Sequence, residues 1–580
     1  MSPPGGGAGG PVRTTMASMR ATSRPALPRQ VADAHVAALL ELDPIAGTHL
    51  GVAACAGLLP DFSPAGQREV AALARRTLAE LDRAEELPGA AADAERRCAK
   101  LLRERLTAEL AVHEAGEGLR TVSNLRSPAH SVRIAFTVMP TATDADWGAV
   151  AERLRAVPAA LDGYRASLAE GIRQGLPGGP RATAVFTGQL AEWAGGGARR
   201  SWFEDFAAGG PGALRPELDA AARGATRAVA GLRDWLRKEY APAVAGAPDT
   251  VGRERYARWA RYFTGADLDP DAAYAYGWEE YHRLLGEMRA EAGRILPGAG
   301  PWEALAHLDA YGTHIKGAEE TRAWLQDLMD EAVAALDGTH FDLAGPLRRV
   351  ESCLAPPGGA AAPYYTSPSE DFSRPGRTWL PVDDRDRFPV YDLVSTWYHE
   401  GVPGHHLQLA QWVRVADRLS RYQASIGRVS ANLEGWALYA ERLMDELGFL
   451  PDAERRLGYL DGQMLRACRV IVDIGTHLGL AIPAHSPFRP GERWTPALAE
   501  EFFGMHTAAP AAFVSSEFTR YLSVPGQAIG YKLGERAWLA GRAAARAAHG
   551  DAFDLKRWHM AALSLGPLGL DDLVAELSAL

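Results

Sequence analysis

From about Gln30 to the middle of the chain, apolar residues recur every three and four positions, the spacing of one buried helical face. VADAHVAALLEL, AALARRTLAELDRAEEL and ERRCAKLLRERLTAELAVHEA show it first. WGAVAERLRAVPAALDGYRASLAEGIRQG, ALRPELDAAARGATRAVAGLRDWLRKEYAPA and DPDAAYAYGWEEYHRLLGEMRAEAGRIL continue it. Alternating strand patterns are few, the candidates being TWLPV at 378–382 and the stretch near Tyr364. No repeat of fixed period stands out. Breaks rich in Pro, Gly or Ser fall at 355–390, 482–496 and 523–527. The pattern predicts a mainly α protein with a few short strands. A helical N-terminal half covers 30–354, and a second half over 355–580 alternates helices with loops, the two packed as one unit. Loops set on a rigid helical scaffold are where binding and catalytic groups tend to sit.

Composition narrows this picture. Residues 1–29 are rich in Gly, Pro, Ser and Thr, and no apolar stretch follows their arginines. They read as a disordered leader, not a secretory signal, with Met16 and Met19 as alternative starts. No apolar run approaches the roughly 20 residues of a membrane span. The 580 residues are 47% hydrophobic, ample for a sizeable core. A net charge of -10 without a long basic run excludes the footprint of a nucleic-acid binder. Cys55, Cys98, Cys353 and Cys468 are scattered, which argues against a disulfide framework or a thiolate zinc site. The expectation is a cytoplasmic protein with neither nucleic-acid nor membrane partners. Abundant Ala, and Arg in preference to Lys, hint at a GC-rich bacterial genome.

The candidate chemistry lies in YHEGVPGHHLQ, residues 398–408. Zinc peptidases often carry HExxH on one helix, with the histidines one turn apart and the glutamate as base. Here His399-Glu400 fits, but the next histidine, His405, comes six positions on. On a regular helix that is about 600°, some 120° off the first face. Pro403 cannot donate an N–H to the carbonyl of His399, so the helix must open there. Gly404 tolerates the backbone angles of a bulge that would swing His405 back beside His399. His406 is then an outer donor or an alternative ligand. Catalytic zinc usually has three protein ligands and one open position. SANLEGWALYAERLMDEL, at 430–447, supplies Glu434 as the candidate third ligand, and Glu441, two turns on, as its support. Gly435 beside Glu434 would let another backbone approach closely. The alternative is a polar loop that happens to be rich in histidine.

HEGVPGHHLQ followed by EGWALYAE resembles the DUF885 family of bacterial proteins. ELDPIAGTHLGV, LPDFSP, APYYTSPSEDFSRPGRTW, RACRVIVDIGTHLG, EFTRYLSVPGQAIGYKLGE and FDLKRWHMAALSLGPLGL extend the likeness over almost the whole chain. That family looks distantly related to helical zinc metallopeptidases of the gluzincin type. The resemblance implies a two-lobed helical fold with a central cleft. It implies one zinc ion per chain on His399, His405 and Glu434, with Glu400 as general base.

A zinc hydrolase also needs donors for an oxyanion. His477 and Tyr531 are the candidates, each with a packing role as its alternative. Arg520 could grip a substrate carboxylate or pair with Glu517, three residues earlier. Gln527, Tyr365 and Arg466 are further pocket candidates. The reading is a zinc-dependent hydrolase of an amide bond in a short peptide or peptide-like small molecule. A specialised-metabolism enzyme working on an amino-acid derivative, or a non-catalytic helical ligand-binding protein, are the alternatives.

Overall fold

The computed structural model describes residues 26–84, 90–196, 199–355, 362–382 and 385–580. Most of the leader read from the sequence, residues 1–25, lies outside the described residues. Helix begins at once behind it, over Pro28–Leu42, with a proline in the first turn where no N–H is needed.

The architecture is mainly helical with a few short strands. Several helices start where short polar side chains cap them. Thr143 and Asp146 form a reciprocal box at the head of Asp144–Arg173, and Asp269 caps Pro270–Ile295. Two helices of the second half, Ser430–Glu446 and Ala453–Leu478, are linked by a short loop whose Asp452 caps the latter. The 355–390 break carries the strands Tyr364–Thr366, Gly376–Leu380 and Arg387–Pro389. Gly376–Leu380 is the middle of a three-stranded sheet. It pairs parallel with Val350–Leu354 and antiparallel with Tyr364–Thr366, Tyr364 facing Trp379. Arg387–Pro389 pairs antiparallel with His314–Lys316 and leads directly into the Val390–Glu400 helix.

The sequence divides the chain at 354/355, but the cores divide it elsewhere. One core lies between Val122 and Val244 and another between Val31 and Leu106, the latter joined by Tyr422 and Val429. The largest runs from Tyr256 to Leu577, drawing on both sides of 354/355. It contains the helices Val390–Glu400, Ser430–Glu446, Ala453–Leu478 and Gly530–His549. Trp397, Trp436 and Trp538 are fully buried there. Among the described residues, no helix is long and apolar enough to cross a membrane.

Candidate metal centre

The helix that carries Tyr398, His399 and Glu400 ends at Glu400, and a new helix starts at His405. The chain therefore breaks and restarts; it does not bulge within one helix. Gly401 closes the first helix by donating to Trp397 O at 2.8 Å, and Gly404 N–H returns to Tyr398 O at 3.0 Å. A Cβ on Gly404 would lie 2.0 Å from the carbonyl oxygen of His399 and 2.4 Å from that of Tyr398. No side chain larger than hydrogen fits this return, which explains the glycine behind Pro403. The linker is pinned from the next helix, because Trp436 Nε1–H donates to the carbonyls of Pro403 (2.9 Å) and Gly404 (3.0 Å).

The break brings His399 and His405 edge to face, ring centroids 4.8 Å apart. The Ser430–Glu446 helix runs past them in the opposite direction. Glu434 Oε2 lies 3.4 Å from His399 Nε2 and 3.6 Å from His405 Nε2. The three donor atoms lie within 4.8 Å of one another, and among the described residues no other cluster of three His, Cys, Asp or Glu does so. Glu434 holds its place because Gly435 meets Gly534 of the Gly530–His549 helix. A Cβ on Gly435 would lie 2.3 Å from the Gly534 carbonyl carbon.

Behind His399 stands Glu441, whose Oε1 is 2.7 Å from Nδ1. That bond keeps a proton on Nδ1 and turns Nε2 toward Glu434 and His405. Ser395 Oγ donates to the other oxygen of Glu441 at 2.6 Å, and Gln463 Nε2 reaches it at 3.5 Å. Burial pushes the His399 imidazolium toward deprotonation, but Glu434 and Glu441 outweigh it and lift the pKa to about 9. For Glu434 burial acts upward, and the two histidines hold the carboxyl well below the usual range. Glu400 is buried beside them; burial raises its pKa against the pull of His399 and His405.

The other candidates fall into two groups. Tyr531 is half-buried under Arg469, whose guanidinium carbon sits 4.6 Å from its ring centre. Its pKa is raised by burial and then by Glu434, so the hydroxyl keeps its proton. His477 is a correction: both its nitrogens are engaged, so it has no donor left for an oxyanion. Val251 N–H donates to Nδ1 at 3.3 Å, and Nε2–H donates to Tyr521 O at 3.1 Å. Burial lowers its pKa to about 4.

Arg520 takes the second of its two readings. Its Nε and Nη2 donate to Glu517 at 2.9 and 2.6 Å, and Nη1 donates to Gln527 Oε1. The bidentate edge is thus spent inside the protein, and Gln527 with it. His406 is not an alternative ligand. Its Nε2–H donates to Leu347 O and its Nδ1 accepts from the Tyr365 hydroxyl, both at 3.0 Å. Tyr365 and His406 fasten the small sheet to the His405–Arg414 helix, so the Tyr365 hydroxyl is not free for a substrate. Two groups escape a reading of the sequence: Arg469 and the fully buried Lys532. Lys532 Nζ donates to Gln463 Oε1 and Glu535 Oε2, each at 2.6 Å, and to Glu280 Oε2 at 3.1 Å. Arg469 could have been found from its spacing, one turn beyond Arg466 on the same helix.

The family model described as "Bacterial protein of unknown function (DUF885)" matches residues 44–577. None of the curated proteins compared with the chain matches it. Two solved structures are similar in fold. One, from Colwellia psychrerythraea and called a "putative lipoprotein", has 20% identity and a TM-score of 0.82, with 95% of this chain and 98% of that one covered. The other, from Shewanella oneidensis and called a "putative lipoprotein of unknown function", has 18% identity and a TM-score of 0.72, covering 95% and 100%.

Proposed function

Given that the chain belongs to the DUF885 family, we propose that it is a zinc-dependent hydrolase of an amide bond in a short peptide or peptide-like small molecule. The observation that carries this reading is the convergence of His399, His405 and Glu434 on one point. Two imidazole nitrogens and one carboxylate oxygen are a donor set that zinc prefers, and three protein ligands leave a position open. The two histidines differ behind the site. His405 Nδ1 is buried without a partner among the described residues, while His399 Nδ1 is fixed by Glu441. In both, Nε2 is the nitrogen that faces Glu434.

A bound zinc ion would polarise the scissile carbonyl and bring the pKa of a water towards about 7. Glu400 is the proton acceptor. It is buried next to His399, and burial raises its pKa, which suits a base that takes a proton from water and returns it to the leaving nitrogen. Tyr531 is the donor for the oxyanion, since its hydroxyl remains protonated and has no hydrogen-bond partner among the described residues. A protein that only binds a ligand has no use for a base beside the metal ligands. Residence in the cytoplasm belongs to the same proposal, and cell fractionation tests it.

The deciding measurement is metal content by mass spectrometry on untagged protein, beside a His405→Ala variant. The reading expects about one zinc per chain, lost in the variant. Wild type that stays free of metal after zinc is supplied would sink it. With zinc in place, Glu400→Gln keeps the metal and loses turnover of a peptide panel by about 100-fold or more.

A further inference from the structure

The Ala453–Leu478 helix carries Gln463, Arg466 and Arg469 at three-residue spacing, each about 60° round the helix from the one before. Gln463 and Arg466 face the carboxylate behind His399: Gln463 Nε2 is 3.5 Å from Glu441 Oε2, and Arg466 Nη2 is 3.8 Å from Oε1. Arg469 comes next, against Tyr531. Tyr531 follows Gly530, whose Cβ position would be 3.3 Å from Cα of Ala431, one turn before Glu434. Arg469 therefore lies on the Tyr531 side of the metal-binding residues.

Its hydrogen bonds are incomplete. Nε donates to the Tyr521 hydroxyl at 2.9 Å and Nη2 to Glu517 Oε2 at 2.8 Å. Nη1 has no partner among the described residues. Glu517 is also shared, since Arg520 grips both its oxygens and Tyr521 donates to Oε2 at 2.8 Å. Glu517 is thus the carboxylate hydrogen-bonded to both guanidiniums, each 7% exposed, while Asp473 acts on Arg520 through charge alone. Arg520 is closed off by Gln527, so the donor left open on this pair is Nη1 of Arg469. A guanidinium N–H without an acceptor is a ready partner for an anionic ligand group. Glu434, Glu441 and Glu400 do not fill that role. Glu434 faces the two histidines, Glu441 is bonded to His399, and Glu400 adjoins the same pair.

We propose that the ligand of this site carries a free carboxylate and that Nη1 of Arg469 receives it, with the Tyr531 ring between this grip and the metal-binding residues. This rests on the hydrolase reading for its chemistry. It narrows the substrate class to N-acyl amino acids and peptides whose free terminal carboxylate lies close to the amide cleaved.

Calorimetry with N-benzoylglycine and its primary amide, N-benzoylglycinamide, tests the assignment on the full chain stripped of metal by chelator. Without metal, direct coordination of the carboxylate contributes nothing. Wild type is expected to bind the acid at least about tenfold more tightly than the amide, the worth of one charge-assisted bond. Arg469→Gln should bring the acid down to the level of the amide, and Arg469→Lys should keep part of the preference. Equal binding of the two probes by wild type, or binding of neither, overturns the proposal without reference to any variant. So does an undiminished preference in Arg469→Gln. The hydrolase reading fails separately: a preference for the acid in a protein that takes up no zinc leaves the carboxylate grip standing alone. A zinc-loaded hydrolase indifferent to the carboxylate removes only the grip.

Discussion

His399 and His477 are two buried histidines that begin from similar positions. Each sits in the last turn of a helix, each is less than 5% exposed, and each has a carboxylate near its ring. Their surroundings send them opposite ways. His399 meets carboxylates at both nitrogens, Glu441 at 2.7 Å and Glu434 at 3.4 Å, and its pKa rises to about 9. His477 meets backbone at both, the N–H of Val251 and the carbonyl of Tyr521, while Asp473 stands off at 3.7 Å. Burial then dominates, and its pKa falls to about 4. A ring held by one backbone donor and one backbone acceptor is stable only when neutral and in one tautomer. A ring held between carboxylates can carry a proton, or give up the one on Nε2 to a metal. Carboxylates at both nitrogens thus set His399 apart from His477, which backbone groups fix as a neutral ring.

The largest effect that could break this contrast is on metal and turnover. His399→Ala is expected to lose zinc and with it essentially all hydrolysis, a fall of more than about 100-fold. His477→Ala is expected to keep zinc at the wild-type ratio. Metal analysis of the two variants side by side decides the matter, and equal zinc loss in both would erase the distinction.

A stability measurement comes next. Lys532 reaches the surroundings of His399 through Gln463, which accepts from Lys532 and donates toward Glu441. Its ammonium is fully buried and also answers Glu280 and Glu535. Removing it leaves Glu535 with Arg442 alone, at 3.6 Å, and Glu280 with Arg283, and loss of one partner from such a buried cluster typically costs up to about 3–5 kcal/mol. Lys532→Met should lower the denaturation midpoint accordingly. A change within about 0.5 kcal/mol would show that the cluster rearranges without its lysine.

The third effect is on pH. His477 has a folded pKa near 4 against 6.5 for the exposed group, so the unfolded chain binds more protons between those values. Its contribution is fully present above about pH 6.5 and is lost as pH falls toward 4, to the extent of about 3 kcal/mol. His406 and His559 shift in the same direction, so His477→Gln should remove only part of the acid-side slope of stability. An identical slope in that variant would mean that His477 does not titrate with unfolding.

Much of this was legible in the chain. The three- and four-residue periodicity marks the long helices, and His399, Glu400, His405 and Glu434 stand out by type and spacing. Other features depend on contacts that no local pattern records. The return at Gly404 is dictated by the carbonyls of Tyr398 and His399. His477 looks like a site residue until Val251, more than 200 positions away, closes its ring. The Lys532 cluster assembles side chains from positions 280, 463, 532 and 535. The strands His314–Lys316 and Arg387–Pro389 have three residues each, too few for alternation to show.

The smallest effect sharpens the comparison most, because it touches His399 without removing it. Glu441→Gln keeps the size of the side chain and replaces the charge that faces Nδ1 by an amide. The amide can still accept the ring proton through its oxygen, so the imidazole should keep its orientation. The negative charge that makes Nε2 a better donor is gone. The new NH2 would face Ser395, whose hydroxyl can turn to accept from it, and Gln463 Nε2, whose 3.5 Å contact would be lost. Loss of such an outer partner typically weakens metal affinity by about 10–100-fold. A zinc competition titration should show that loss, with stability at neutral pH little changed in the metal-loaded protein. If affinity is unaltered, Glu441 serves only to place the ring, and His399 differs from His477 in geometry alone.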